Sequence, residues 1–137
     1  MKYRLFPHPA DLGVVIHGSS LAELFSHGAF AVYDLMTDLR LVAPRREMTI
    51  QAEGSDREDL LVNFLREVLY LYQGSQFLPC AFDILTLDET QVTAAFKGET
   101  YDPARHRMIR ELKAATYCRL AIRQISGGWE ATVVFDV

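Results

Sequence analysis

The sequence has few of the features that mark specialised classes of protein. It contains only two cysteines, Cys80 and Cys118, which lie 38 positions apart with no second cysteine nearby. This spacing fits neither a disulfide framework nor a zinc site. No apolar run reaches the roughly 18 residues of a membrane span, and no signal-peptide pattern opens the chain. We therefore expect a cytoplasmic protein with no membrane partner, with both thiols reduced and in or near the core.

Sequence signatures of common enzyme classes are missing as well. There is no phosphate-binding glycine loop, no dinucleotide-binding glycine pattern, no HExxH zinc motif and no GxSxG turn. Each of these motifs places a specific chemical group next to a substrate or cofactor. The sequence therefore disfavours an independent enzyme of a common class, and we assign no catalytic residue.

The chain does contain enough apolar material for one globular domain. Its 137 residues are 50% hydrophobic and 23% charged, a composition typical of folded rather than disordered proteins. A chain of this length buries roughly 68% of the surface that it exposes when unfolded. We expect a single domain over residues 1–137.

Charge is unevenly distributed along the chain. The formal net charge is −4, which argues against binding of nucleic acid by bulk charge. Residues 105–123 nevertheless carry six basic side chains against one acidic one, Glu111; the basic ones are Arg105, Arg107, Arg110, Lys113, Arg119 and Arg123. We favour a solvated loop followed by an exposed strand face, with a contact site for a polyanion as the alternative.

Two capping boxes predict two helices. Ser20 and Glu23 open the first, and apolar residues then recur at helical spacing to about Thr37. Ser55 and Glu58 open the second, whose apolar face ends at Gly74.

Strand patterns account for most of the remaining chain. Prolines at 7 and 9 predict a loop between the first two strands, and Lys97-Gly98-Glu99 is interpreted as the end of a strand before a turn. The predicted strands cover residues 2–6, 12–17, 46–53, 79–87, 90–97, 114–125 and 129–136. Two helices with about seven mostly antiparallel strands predict an α+β domain.

Three positions could carry chemistry. Asp11 stands where the His8-Pro9 loop becomes a strand, and Asp136 stands beside the terminal carboxylate of Val137. Oxygen ligands from Asp136, Val137 and a neighbouring aspartate would suit a hard divalent ion. Spacing alone favours a turn cap at Asp11 and a frayed end at Asp136. Lys113 is either an exposed edge charge or a residue that reaches a phosphate.

Taken in order, six segments resemble the archease family. They are His8–Gly13, Ser20–Phe25, Leu60–Leu69, Lys97–Glu99, Glu111–Tyr117, and Gly128–Ala131 leading to Phe135–Val137. The resemblance covers essentially the whole chain and implies an archease-like fold, with two helices packed on mostly antiparallel sheet. If residues 129–137 pair with the strand begun by Leu12, Asp11 and Asp136 meet at one end of that sheet.

The resemblance also implies a function. Archeases are accessory proteins, not enzymes: they promote guanylylation and multiple turnover of an RtcB-type tRNA-splicing ligase. That ligase is the expected partner, and contact with tRNA would be indirect, through the ligase. Two other hypotheses are a chaperone-like modulator of tRNA-modifying enzymes such as methyltransferases and, in third place, a small metal-dependent hydrolase.

Site residues follow from the same resemblance. It implies a divalent metal, Ca²⁺ with Mg²⁺ or Mn²⁺ as alternatives, held by Asp11, Asp136 and Val137. It also implies roles in ligase activation for Asp11, Asp136, Lys113, Glu67 and His8.

Four positions depart from the family pattern. Pro9 stands where threonine is usual, and Cys118 where histidine is frequent. In the second helix, Phe64 and Arg66 stand where tryptophan and asparagine are usual. The loss of the threonine hydroxyl removes a polar contact beside the metal loop, so the identity of the ion is open.

Overall fold

Seven strands form two antiparallel sheets in the computed structural model, which describes residues 1–137. The four-stranded sheet has the order β1-β2-β7-β6, with β1 at Tyr3–Phe6, β2 at Leu12–Gly18, β6 at Ala114–Ile125 and β7 at Gly128–Asp136. The three-stranded sheet has the order β3-β5-β4, with β3 at Arg46–Glu53, β4 at Phe77–Leu87 and β5 at Gln91–Thr100. Together with the two helices, this arrangement confirms the predicted α+β class.

Two helices cover the sheets and complete one core of 30 buried residues. Helix α1 spans Leu21–Met36 and helix α2 spans Arg57–Ser75. A short 3₁₀ helix at Leu39–Leu41 was not predicted. No helix in the structure combines the length and apolar character that crossing a membrane requires.

The connection between β2 and α1 decides which end of the sheet α1 reaches. Only two residues separate Gly18 from Leu21, and a Cβ at position 18 would overlap the backbone of Leu24. The chain therefore turns back sharply, so α1 returns along β2. Its last residue, Met36, lies against the segment that leads to β6, since its carbonyl accepts from the Ile109 N–H at 2.8 Å.

The predicted ends of α2 are each shifted. The N-cap is Asp56 rather than Ser55: the Asp56 carboxylate accepts from the Asp59 backbone N–H at 2.8 Å, and Asp59 accepts from the Ser55 N–H at 2.9 Å. An aspartate caps a helix as well as serine does, so the pattern fits either position. The helix also continues past Gly74 to Ser75 and is capped by Gln76, which adopts the left-handed conformation at φ 53°.

Gly98 lies inside β5, a strand that we predicted to end at about residue 97. Strand β5 continues to Thr100, and Gly98 pairs with Arg46 on one side and Pro79 on the other. A Cβ at position 98 would overlap the carbonyl of Leu78. Glycine is therefore needed because the neighbouring strand approaches closely.

Strand β6 carries a bulge of four residues. Thr116 pairs with Val134 but Ala121 pairs with Thr132, so residues 117–120 have no partners on β7. Arg119, within the bulge, has φ 56°. The bulge also exposes Cys118, which corrects its expected place in or near the core, whereas Cys80 is half-buried; both thiols are free.

The assignment of Asp56 as the N-cap of α2 can be tested directly. Replacing Asp56 with alanine should lower the free energy of unfolding by about 1 kcal/mol, since it removes the acceptor of a helix N–H. Urea denaturation of Asp56→Ala and of Ser55→Ala measures the difference. A larger loss for Ser55→Ala would show that the cap lies one residue earlier.

Candidate metal and activation site

Pairing of β2 with β7 brings the two expected acidic ligands to the same end of the four-stranded sheet. Leu12 pairs with Phe135 in antiparallel register, so Asp11 and Asp136 each lie one residue beyond this pair. Asp136 is exposed, and the Asp11 side chain is about one-third exposed, at 32%. Both carboxylates are thus available to a ligand from solvent.

Lys113 lies at the same sheet end. Ala114 pairs with Asp136, and the Lys113 backbone N–H donates to the Asp136 carbonyl at 2.8 Å. Gln73 of α2 holds this segment by donating from Nε2 to the Lys113 carbonyl at 3.0 Å. The Lys113 side chain itself is exposed and has no hydrogen bond or ion pair. Its charge is therefore free to meet a partner.

His8 lies beside Asp11 in the predicted loop. Its Nδ1 is 3.7 Å from the nearer Asp11 carboxylate oxygen and is buried without a hydrogen-bond partner. Its Nε2 lies 3.9 Å from the Cys118 sulfur. Buried nitrogens are usually hydrogen-bonded, so an unpaired one facing a carboxylate marks this loop as a place where a ligand could complete the polar contacts.

The β6 bulge explains how Cys118 reaches His8. Strands β1 and β6 lie at opposite edges of the sheet, yet the Arg119 guanidinium stacks over the Phe6 ring at 5.3 Å. Phe6 in turn lies over Gly13, where a Cβ would overlap its ring. The bulge thus extends from β6 toward β1 and packs against the loop that carries His8 and Asp11.

Glu67 is not brought together with these residues. It is exposed on α2 and lines a surface cavity of about 440 Å³ with Gln51 and Glu53 of β3. No hydrogen bond or ion pair joins it to Asp11, Lys113 or Asp136. Arg66, its neighbour, reaches β6 instead: its Nε donates to the Ala115 carbonyl at 3.3 Å.

The side chains alone do not make a closed metal centre. No group of three or more histidine, cysteine, aspartate and glutamate side chains is arranged to hold an ion. Asp11 and Asp136 supply oxygen donors of the type that Ca²⁺ and Mg²⁺ prefer, but Ca²⁺ takes six to eight of them. The donor set fits a hard divalent ion that completes its coordination with backbone oxygens, water or a partner.

A buried carboxylate, Glu99, organises the segment that leads to Lys113. This crossing segment, residues 101–113, connects β5 of one sheet to β6 of the other. Glu99 Oε1 accepts from Arg105 at 2.7 Å and lies 3.2 Å from Arg45 Nε. Its Oε2 accepts from the Ala43 N–H at 2.7 Å and contacts His106 Nε2 at 2.8 Å. One carboxylate therefore ties the crossing segment to the chain before β3.

His106 completes this cluster, and its contacts define the tautomer of its ring. Its side chain is fully buried, and its Nδ1 accepts from the Asp102 N–H at 2.9 Å. Because a backbone N–H only donates, the proton lies on Nε2, which donates to Glu99. The Arg105 guanidinium, with help from Ala43 and His106, lowers the pKa of Glu99 to about 2. No local pattern indicates this role, because a glutamate at a strand end resembles a solvated charge.

Replacing Glu99 with glutamine should lower the free energy of unfolding by about 2 kcal/mol at neutral pH, because hydrogen bonds to charged groups are lost. The folded-state pKa lies below the ordinary value of 4.5. Stabilisation by the ionised carboxylate is therefore complete above about pH 4.5 and decreases as the pH falls toward 2. Urea denaturation of wild type and Glu99→Gln between pH 7 and pH 3 checks this. A difference in the free energy of unfolding that grew as the pH fell would contradict it.

Comparisons with known proteins give one consistent result. The family model described as the Archease protein family matches residues 3–137. Protein archease of Pyrococcus furiosus is 34% identical over 140 residues, covering 99% of each chain. Protein archease-like of Drosophila melanogaster is 32% identical, covering all of this chain and 91% of its own.

Two solved structures share the fold. The solution structure of Methanobacterium thermoautotrophicum protein 1598 matches with a TM-score of 0.81 and 26% identity, covering 99% of both chains. A crystal structure from Thermotoga maritima, described as an archease and possible chaperone, matches with a TM-score of 0.66 over 98% of this chain and 96% of its own. At 18% identity, the second likeness concerns the fold alone.

Proposed function

Because this chain belongs to the archease family, we propose that it is a cytoplasmic, metal-binding accessory protein that activates an RtcB-type RNA ligase in tRNA splicing or RNA repair. The observation that carries the proposal is the β2–β7 register, which supports a shared role for Asp11 and Asp136 at one sheet end. Lys113 adds a free positive charge at the same end. This chain would act through the ligase, with no catalytic residue of its own.

Asp11, Asp136 and an oxygen of Val137 would hold the ion, Ca²⁺ in the first instance and Mg²⁺ or Mn²⁺ as alternatives. A divalent ion there would supply positive charge for phosphate oxygens. The unpaired Nδ1 of His8 faces Asp11 and could take up a hydrogen bond from a water in the same site. Because the side-chain ligands are few, we expect weak binding that the ligase completes.

The chain's own contribution is positioning. Gln73 and the Asp136 backbone hold Lys113 at the sheet end, so its ammonium can meet a phosphate without a large loss of backbone entropy. Fixing reactants in place in this way lowers a barrier without bond chemistry in the accessory protein. We expect the sheet end to face the nucleotide pocket of the ligase, where GTP is attacked by the ligase's own nucleophile. Glu67 lies on another surface, and a role for it would need a separate contact.

The chaperone-like alternative follows from the family resemblance, and the Thermotoga maritima structure is itself described as that of a possible chaperone. It would use the whole surface to stabilise tRNA-modifying enzymes such as methyltransferases. That function predicts stimulation of several client enzymes whether or not Asp11 is present. The ligase hypothesis predicts that stimulation requires the acidic pair.

Ligation of tRNA exons by the RtcB-type ligase of the same organism, under limiting ligase, tests the proposal. Wild type should convert a single turnover into many, and Asp136→Asn or Lys113→Gln should reduce the yield to that of the ligase alone. Each change removes a charge without changing the side-chain volume greatly, so the fold should persist, which circular dichroism checks.

Asp83→Asn is the matched control, since Asp83 is exposed on β4 and has no hydrogen bond or ion pair. It should stimulate like wild type. Full stimulation by Asp136→Asn would contradict the proposed site. Absence of stimulation by wild type, with stabilisation of a methyltransferase, would favour the alternative.

A further inference from the structure

A concentration of arginines surrounds the crossing segment and is not used by the proposed metal site. Two chain segments, 38–46 and 99–113, together carry seven basic and four acidic side chains, a net charge of +3, while the rest of the chain carries −7. We call the seven basic residues the basic surface: Arg40, Arg45, Arg46, Arg105, Arg107, Arg110 and Lys113. The protein is therefore locally cationic although it is acidic as a whole.

The fold holds these two segments side by side. Thr37 and Met108 form an isolated β-bridge, and the Thr37 hydroxyl donates to the Arg107 carbonyl at 2.9 Å. The Ile109 N–H donates to the Met36 carbonyl at 2.8 Å. The Glu99 cluster adds the contacts to Arg45 and Arg105 already described. The basic surface is thus built on ordered backbone.

Two of the four acidic side chains in these segments are paired with arginines. Glu99 is buried beneath Arg45 and Arg105, and Asp38 forms an ion pair with Arg40 at 2.8 Å. Asp102 accepts from the Ala104 N–H at 3.0 Å, and Glu111 is exposed between Arg110 and Lys113. Four basic side chains without an ion pair outnumber these two acids, so cations dominate the outward-facing charge; they are Arg46, Arg107, Arg110 and Lys113.

Three of the cations have no partner. Arg107, Arg110 and Lys113 are exposed, and their side chains form no hydrogen bond and no ion pair. In contrast, Arg119 stacks on Phe6 and Arg123 pairs with Glu130. The three free cations follow one another every third residue along a non-helical segment, at most about 10 Å apart at their Cα atoms.

We propose that the basic surface binds the phosphate backbone of RNA. A row of separate cations matches a chain of regularly spaced phosphates better than it matches a single cluster of carboxylates. Arginine suits phosphate because its guanidinium donates two parallel hydrogen bonds. Lys113 belongs to both the row and the acidic sheet end, so bound RNA would lie beside the proposed activation site. The choice of RNA rests on the proposed function, but the binding itself does not need the ligase.

Fluorescence anisotropy with a labelled single-stranded RNA oligonucleotide and no ligase tests this inference. Wild type should bind with a Kd of about 10⁻⁴ to 10⁻⁶ M, more weakly as salt rises. The double variant Arg107→Gln/Arg110→Gln should bind several-fold more weakly. Its slope of log K against log salt should be smaller by about 1.4, at about 0.7 for each lost phosphate contact on a single strand.

The control variant Arg4→Gln/Arg123→Gln removes the same charge from exposed positions on the two edge strands β1 and β6. It should keep the wild-type slope. No salt-dependent binding by wild type, or equal losses in both double variants, would overturn the proposal. Equally effective competition by polyglutamate would point to an acidic protein, and binding of labelled GTP without RNA would point to the nucleotide.

The same variants separate this inference from the proposed function. Arg107→Gln/Arg110→Gln that lost RNA affinity but still activated the ligase would support RNA binding as an additional property. Wild type that activated the ligase without binding RNA would overturn the RNA inference alone. Wild type that bound RNA without activating the ligase would overturn the proposed function alone.

Discussion

Antiparallel pairing of β2 with β7 is the constraint on which the candidate site depends. The two strands come from opposite ends of the chain, and seven residue pairs from Leu12–Phe135 to Gly18–Trp129 fix their register. A shift of one residue would turn every side chain to the other face of the sheet, exposing Val14 and Val133, which are fully buried. The core therefore enforces the register, and the register places Asp11 beside Asp136.

Burial of Glu99 is the second constraint, because it decides where the crossing segment lies. A carboxylate removed from water is costly unless it is fully paired, and this one is satisfied by two arginines, a histidine and a backbone N–H. The same contacts leave Arg107 and Arg110 facing solvent. One buried negative charge thus orders a surface that is positive, next to a sheet end that is negative. The two charges are thus held on neighbouring surfaces of one small domain.

Much of the architecture could be predicted from local pattern, because helical spacing, strand alternation and the prolines at 7 and 9 each act within a few residues. The first residue of α2 could not be predicted in this way, since Ser55 and Asp56 are both good helix caps and only packing selects one. The bulge at residues 117–120 and the Glu99 cluster depend on contacts between distant segments, which a single sequence does not display. Only the family resemblance predicted that Asp11 and Asp136 lie at the same end of the sheet. The same resemblance implied a role for Glu67, which is not brought together with them.

In the proposed function, Asp11 and Asp136 act as one site. A double-mutant cycle on ligase stimulation tests it most directly, with Asp11→Asn, Asp136→Asn and the double variant measured at equal folded concentration. Residues that act as a unit give non-additive losses, so the account predicts that each single variant loses about as much stimulation as the double variant. Losses that add independently would show two separate contributions and contradict the shared site.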